Sequence, residues 1–194
     1  MAIYSSDLML GDARARYFAL NNFGDGGYDD NWVRVEYGWL RFYFPNTRAR
    51  VVRYHDLHHI LTEYATSMEG ETEISAWEIA TGCTANSAAW TLNLLGFGFG
   101  LLINRRGVYR AFLRGRYSSN LYSFPFNDSL LASKVGEMRC LLGLDRKHIA
   151  ATPADKRAFG LWASLSFATL MAGYGFIIAP LVLLLIWIFR LVSS

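Results

Sequence analysis

The sequence predicts a mainly α-helical protein, in which a helical metal-binding domain with a small β-ribbon near its N-terminus is followed by a C-terminal transmembrane helix. Three observations support this fold class. Apolar residues recur at helical spacing behind residues that cap helices, one early segment alternates, and the last part of the chain is almost free of charge. We expect a helical metal-binding domain over residues 1–154 and a membrane anchor over residues 155–194.

The composition narrows the class of protein. Hydrophobic residues make up 53% of the 194 residues, which is high for a freely soluble protein, whereas the net charge of +3 does not indicate nucleic-acid binding. Cys83 and Cys140 belong to no C-x-x-C pair and predict no disulfide framework or zinc ribbon, so we expect a reducing, cytoplasmic environment. The polar N-terminal stretch predicts no cleaved targeting signal.

The first half of the chain divides into four predicted elements. A short helix is expected over residues 12–22, and the alternating aromatic and β-branched residues from Trp32 to Phe44 predict the β-ribbon. Two further helices are predicted over residues 51–64 and 71–83, separated by a turn at Glu69 and Gly70. The second of these helices can therefore lean back on the first.

An apolar run and an arginine cluster come next. Residues 86–103 are too rich in glycine and too few to predict a membrane span, and indicate a buried or interfacial helix. The cluster that follows has no acidic residue within it and consists of Arg105, Arg106, Arg110, Arg114 and Arg116. It predicts either a solvated helix face or contact with anionic lipid headgroups. A further helix is expected behind Asn127 or Asp128, which are both capping residues.

The C-terminal segment predicts the anchor. The only ionisable groups from Phe159 to Val192 are the Tyr174 hydroxyl and Arg190. A straight helix over residues 160–192 would be about 50 Å long against a hydrocarbon core of about 30 Å, so one span must tilt or kink. Pro180 is the expected kink, Trp162 and Trp187 the expected interface markers, and a re-entrant hairpin about residues 173–175 the alternative. Cations before the segment outnumber those after it, which predicts a cytoplasmic domain.

The densest group of metal-type ligands lies between Tyr54 and Glu71. If residues 51–64 are helical, His55 and His59 lie one turn apart with Asp56 beside them, so the two imidazoles can bind one cation. A carboxylate closes the site, and it is either Glu71 on the next helix or Glu63 on the same helix; spacing alone leaves both open. Two imidazoles and one or two carboxylates suit zinc, with iron or manganese as alternatives.

The spacing His55-Asp56-x-x-His59, eleven residues, then Glu71 resembles the signature of the coenzyme Q biosynthesis protein 4 family. Two flanking stretches, FPNTRAR before the motif and EISAWEIATGC after it, look like those of bacterial members. The resemblance implies that His55, Asp56, His59 and Glu71 are metal ligands and catalytic residues, usually with zinc. It thereby favours Glu71 over Glu63.

The resemblance also implies a function. Members of this family are mostly helical, associate with membranes, bind isoprenoid-type lipid and act in ubiquinone biosynthesis, where the ring loses its C1 carboxylate and gains a hydroxyl. We therefore expect a metal-dependent decarboxylase and hydroxylase of a polyprenylated ring. The protein is expected to work with other quinone-biosynthesis proteins on the cytoplasmic side of a bacterial inner membrane, and it could form a homo-oligomer. The C-terminal apolar segment departs from the family pattern.

Three alternatives stay open at this point. The chain can be a non-catalytic lipid-binding scaffold that organises other quinone enzymes. H-D-x-x-H can also be a variant of the H-E-x-x-H helix of metallohydrolases, with Asp56 as the general base. Finally, the histidines can merely pack or face water; His58, the spare one, either supports the ligands, lies on the surface or moves a proton.

Overall fold

The structure is a computed structural model, and it describes residues 3–24, 32–37, 40–45, 49–83, 87–146 and 149–192. Within these ranges the chain forms eight helices and two strands. In chain order they are α1 Leu10–Asn21, β1 Trp32–Tyr37, β2 Leu40–Pro45, α2 Ala49–Thr62, α3 Met68–Thr81, α4 Ser87–Ile103, α5 Arg105–Arg116, α6 Asp128–Leu131, α7 Val135–Leu141 and α8 Pro153–Val192. Strands β1 and β2 pair antiparallel, with Trp32 opposite Pro45 and Tyr37 opposite Leu40.

Helix α3 lies at the centre of the helical domain because it packs against both α4 and α5. Its Trp77 side chain is fully buried, and the indole N–H donates to the Ser118 hydroxyl at 2.9 Å. Two glycines let the neighbouring helices approach closely: a Cβ on Gly96 of α4 would overlap Ser75, and one on Gly115 of α5 would overlap Trp77. Side chains on α3 are therefore held between two closely packed helices.

The turn between α2 and α3 positions the two helices beside each other. Helix α2 ends at Thr62, and the buried Arg139 guanidinium donates to the carbonyl oxygens of Ile60 and Leu61 at 2.9 and 3.0 Å. These are carbonyls that a helix end leaves without an intrahelical partner. Helix α3 then begins behind Ser67, whose hydroxyl accepts from the Gly70 N–H at 3.3 Å. Gly70 has to be glycine, since any Cβ there would overlap the backbone of Ala65.

The predicted fold class is wrong in its C-terminal part. Within the described residues we find no helix that combines the length and the sustained apolar composition needed to cross a bilayer. Residues 155–194, expected to form a transmembrane anchor, belong almost entirely to α8, which packs along α4 and α5. Trp162, expected at a membrane interface, stacks on Trp90 of α4 at 5.3 Å between ring centroids. Phe159, Trp162 and Ala163 of α8 thus pack against the core, whereas Leu161 and Trp187 are exposed.

The structure also differs from the single helix predicted after Asn127. The helix predicted behind Asn127 or Asp128 is two short helices, α6 and α7, separated at residues 132–134. Asn127 is the cap, since its side-chain oxygen accepts from the Leu130 N–H at 3.0 Å. The break follows from tertiary pairing, because the Leu10 N–H donates to the carbonyl of Ser133 at 2.8 Å and the Val135 N–H donates to that of Leu8 at 2.9 Å.

The close packing of α8 on α4 can be tested with two glycines. A Cβ on Gly98 of α4 would lie 2.5 Å from the carbonyl oxygen of Ser166 in α8, whereas a Cβ on Gly160 would meet nothing within 4 Å. We expect Gly98→Ala to destabilise the protein by about 1–3 kcal/mol through overpacking. Gly160→Ala should stabilise it by about 0.5–1 kcal/mol through helix propensity alone. Thermal unfolding of the two variants measures both; equal melting temperatures would contradict this packing.

Candidate metal centre

Helices α2 and α3 bring three of the four predicted ligands together. His55 and His59 lie one turn apart on α2, and Glu71 lies in the first turn of α3. The Nε2 atoms of the two histidines are 3.2 Å apart. The Glu71 carboxylate reaches both, with one oxygen 3.3 Å from His55 Nε2 and the other 3.3 Å from His59 Nε2. Ligand atoms of these three residues all lie within 4.8 Å of one another.

Hydrogen bonds on the far side of each ring determine which nitrogen carries the proton. His59 Nδ1 lies 2.9 Å from the carbonyl oxygen of Tyr64, which can only accept. His55 Nδ1 lies 2.9 Å from a carboxylate oxygen of Glu78. Both Nδ1 atoms therefore donate, and both Nε2 lone pairs point at each other and at the Glu71 carboxylate.

This convergence fits a small cation. Zinc held tetrahedrally by bonds of about 2.0–2.1 Å places neighbouring ligand atoms about 3.3 Å apart, close to the 3.2 and 3.3 Å separations seen here. Two imidazoles and one carboxylate form the ligand set of catalytic zinc sites, which leave a fourth position for water or substrate. The Glu71 side chain is 42% exposed, so the site is open on that side.

Without a cation, one proton fills the same position. Burial lowers the pKa of His55, but the carboxylates of Glu78 and Glu71 outweigh it and raise that pKa to about 10. Burial likewise raises the pKa of Glu71, but hydrogen bonds with His55 and His59 outweigh it and lower that pKa to about 2. The site therefore has a strong preference for positive charge.

Glu78 orients the ligands, and the sequence did not single it out. Its carboxylate is fully buried on α3 and has four side-chain partners. One oxygen lies 2.9 Å from His55 Nδ1 and 2.7 Å from His58 Nδ1, and the other accepts from Asn93 at 2.5 Å and from the Tyr122 hydroxyl at 2.6 Å. Burial raises the pKa of Glu78, but its histidine partners hold it well below the usual range. The available signal was its position seven residues after Glu71, on the same helix face.

His58 is a buried support and not a ligand. Its Nε2 atom accepts from the Leu121 N–H at 2.9 Å, so its Nδ1 atom carries the proton and donates to Glu78. Burial lowers the pKa of His58, which keeps the ring neutral. Both ring nitrogens of His58 are hydrogen-bonded, so His58 holds in place the Glu78 carboxylate that orients His55.

The other two predicted carboxylates lie elsewhere. Glu63, the alternative closing ligand, faces away from the histidines: its carboxylate accepts from Arg139 Nη2 at 2.9 Å and from the Ile3 N–H at 3.0 Å. Asp56 is buried and outside the compact group of three. It accepts a hydrogen bond from the Tyr17 hydroxyl, and burial together with the Asp56 charge raises the pKa of that hydroxyl. The Tyr17 ring in turn stacks on His59 at 5.8 Å.

Two cavities meet at the centre, and His55 and Glu71 line both. One, of about 340 Å³, is bounded by Tyr17, Phe23 and Asp56 on the α1 side. The other, of about 290 Å³, lies between α2, α3 and α4 and has a largely apolar lining. The centre is thus accessible to a molecule with an aromatic or polar head and an apolar arm.

Comparisons of the chain with protein-family models, with curated proteins and with solved structures found no match. The resemblance to the coenzyme Q biosynthesis protein 4 family therefore depends only on the motif around His55 and its two flanks. The geometry of the centre is independent of that resemblance.

Replacing Glu78 tests its role in orienting His55. Glu78→Gln keeps the shape but removes the charge and can present an N–H to His55 Nδ1, which would favour the wrong tautomer. We expect the affinity for zinc to fall about 10–100-fold, the usual effect of losing such a supporting carboxylate. Titration against a chelating dye measures it. Glu73→Gln is the matched control, because Glu73 lies on the same helix and binds Asn104 instead; equal losses in the two variants would contradict the role.

Metal binding should also depend on pH. Because the pKa of His55 is raised to about 10, the empty centre holds a proton at neutral pH, and a divalent cation must displace it. We expect the apparent affinity to rise about tenfold per pH unit between about pH 6 and pH 9, with release of about one proton. Calorimetry in two buffers of different ionisation enthalpy measures the release. A flat affinity profile would show that His55 is not a ligand.

Proposed function

We propose that this chain is a divalent-metal-dependent enzyme of ubiquinone biosynthesis that acts at C1 of a polyprenylated ring. The observation that carries the proposal is the convergence of the Nε2 atoms of His55 and His59 and the carboxylate of Glu71 where two cavities meet. These three groups repel one another unless a positive charge, either a proton or a cation, lies between them, so the arrangement suits a cation that displaces the proton. The prenylated ring itself is proposed from the sequence resemblance.

His55, His59 and Glu71 would hold the cation, with zinc favoured by the ligand separations and iron or manganese compatible with the ligand types. The bound cation would supply a positive charge for the oxygen atoms of a ring carboxylate or hydroxyl and stabilise negative charge there. Replacing the C1 carboxylate by a hydroxyl releases CO2 and removes two electrons from the ring, so the proposal includes dioxygen as the oxidant, reduced to hydrogen peroxide while water supplies the hydroxyl oxygen. Zinc has no redox chemistry, so at a zinc centre these electrons would pass directly from substrate to dioxygen, whereas iron could relay them.

The neighbouring side chains have distinct roles in this proposal. Glu78 and the Tyr64 carbonyl keep the two imidazoles in the ligating tautomer. Tyr17 and Phe23 present aromatic surface to a ring in the larger cavity. Asp56, the fourth residue that the resemblance implies, shares that cavity and a hydrogen bond with Tyr17, so this pair can exchange a proton with a substrate bound there.

The sizes of the cavities support a substrate with a long tail. At about 290 and 340 Å³ they lie at the lower end of the range of about 300–1,000 Å³ for ligand sites. They have room for a ring and the first part of an apolar chain. The remainder of a polyprenyl tail would stay outside, which agrees with the proposed location at the cytoplasmic face of a bacterial inner membrane and with other quinone-biosynthesis proteins as partners.

The proposal is tested by replacing one ligand. Glu71→Ala should lower the metal content from one ion per chain, stop quinone maturation and cause a carboxylated prenyl-ring precursor to accumulate, because one of three ligands is lost. Metal analysis of the purified protein and lipid extracts of a deletion strain carrying the variant measure these effects. Glu69→Ala is the matched control, since Glu69 is exposed two residues earlier on the same helix.

The outcome also separates an enzyme from a non-catalytic lipid-binding scaffold. Normal quinone and no precursor in the Glu71→Ala strain, with metal lost, would rule out the enzymatic proposal. If the metal-free variant instead unfolds or releases partner proteins, the cation has a structural role in a scaffold.

A further inference from the structure

We propose that the chain docks on a bilayer that contains anionic lipid, through the exposed side of α4 and the start of α5, with the mouth of the 290 Å³ cavity against the lipid. The docking face has two parts. The apolar rim consists of Met68, Leu92, Phe99 and Ile103, and the basic cluster consists of Arg105, Arg106, Arg110 and Lys156. The proposal builds on the proposed function, because it states how a long-tailed substrate reaches the metal centre.

The apolar rim surrounds the entrance of the cavity that leads to His55 and Glu71. Met68, Leu92 and Phe99 line this cavity and yet are 63%, 39% and 37% exposed. Leu92, Phe99 and Ile103 are spaced by seven and four residues on α4, so they lie along one helix face. Large apolar side chains that continue from a cavity onto the surface are typical of a binding surface.

The basic cluster begins at Arg105, two residues after the rim residue Ile103. Its four cations, together with the rings of Tyr109 and Phe159, line an open cavity of about 810 Å³ without any acidic residue in its lining. Among the residues that the structure describes, no carboxylate is within ion-pair distance of these four cations. The nearby Glu73 side chain accepts from Asn104 at 3.1 Å.

The remaining two arginines of α5 have partners within the protein and stabilise the fold. Arg114 donates to the carbonyl oxygens of Thr62 and Leu144 at 2.8 and 3.3 Å, and Arg116 pairs with Asp155 at 3.3 Å. Both lie in the last turn of α5. The sequence cluster of five arginines therefore divides in two: the last-turn pair holds the fold together, and the first three contribute charge to the surface.

The two parts adjoin where α4 ends at Ile103 and α5 begins at Arg105, with only Asn104, the N-cap of α5, between them. Apolar side chains that enter the acyl boundary next to cations at headgroup depth are the pattern of interfacial membrane binding. The basic cluster selects anionic headgroups, and the rim places the cavity entrance at the acyl chains. A prenyl tail could then pass into the cavity without crossing water.

Vesicle sedimentation of the full-length protein tests the basic cluster. Arg106→Gln with Arg110→Gln should weaken partitioning to phosphatidylcholine vesicles that contain phosphatidylglycerol by about thirty-fold, because each cation near an anionic surface contributes about fivefold. The matched control is Arg16→Gln with Arg146→Gln, which makes the same charge change at two exposed residues elsewhere. The control pair should bind like the wild type, and binding should weaken as salt is raised.

A second pair of variants tests the rim. Phe99→Ser with Ile103→Ser should weaken vesicle binding at least tenfold, since both apolar side chains would leave the acyl boundary. Leu161→Ser with Leu165→Ser is the control, because these residues of α8 are 69% and 45% exposed but line neither cavity. Circular dichroism confirms folding of each variant.

Several results would overturn the proposal. These are equal binding by the two Gln pairs, equal binding to pure phosphatidylcholine with no salt dependence, or loss of binding in the α8 pair and not in the rim pair. Displacement of vesicles by glycerol phosphate at matched phosphate concentration would indicate a site for a single phosphate group instead of a bilayer. Vesicle binding is measured without turnover or metal analysis, so the docking face and the metal centre fail separately.

Discussion

The Glu78 carboxylate is the interaction on which the rest of the centre depends. It lies at the middle of the domain with no exposed surface and binds side chains from α2, from α4 and from the segment after α5. A buried charge of this kind is tolerated only when its oxygen atoms are fully hydrogen-bonded. Its four donors meet that requirement, and in doing so they set the ring orientations of His55 and His58. Core packing and site geometry therefore depend on the same atoms.

The ligands are attached to rigid parts of the fold. His55 and His59 lie on a helix whose C-terminal carbonyls are bound by Arg139, and Glu71 lies just after the N-cap of α3. The close contact of Gly70 with Ala65 packs the start of α3 against the turn that follows α2. A centre built on such elements is organised before a cation arrives, so little free energy is spent on ordering its ligands.

The inner and outer sides of the metal centre have different roles. On the inner side, Glu78 and its partners keep the centre oriented. On the outer side, exposed apolar residues of α4 continue into the arginines at the start of α5. Under both proposals, a substrate with a polar head and an apolar tail would lie with its head at the metal and its tail toward the lipid.

Part of the fold and of the metal centre could be predicted from the sequence, because the residues that determine that part lie close together in the chain. Helical spacing places His55 and His59 one turn apart, and capping residues and glycines indicate where α2 and α3 are separated. The choice between Glu63 and Glu71 could not be made from spacing, since either carboxylate is within reach on paper. Only the structure shows Glu63 bound to Arg139 and Glu71 facing the histidines. Asp56 is adjacent to His55 in sequence, yet the structure turns it toward Tyr17.

By itself, the sequence determined the ligand pair on α2 and the apolar character of the last forty residues. The tertiary structure decided which carboxylate joins that pair, that Glu78 orients it, and that the first half of α8 packs on α4 and α5. The physical reason is that hydropathy measures how strongly a segment avoids water and not what it contacts instead. A segment of the same apolar composition can be buried against other helices or in lipid. Only the three-dimensional arrangement of α4, α5 and α8 shows that the first part of α8 contacts helices.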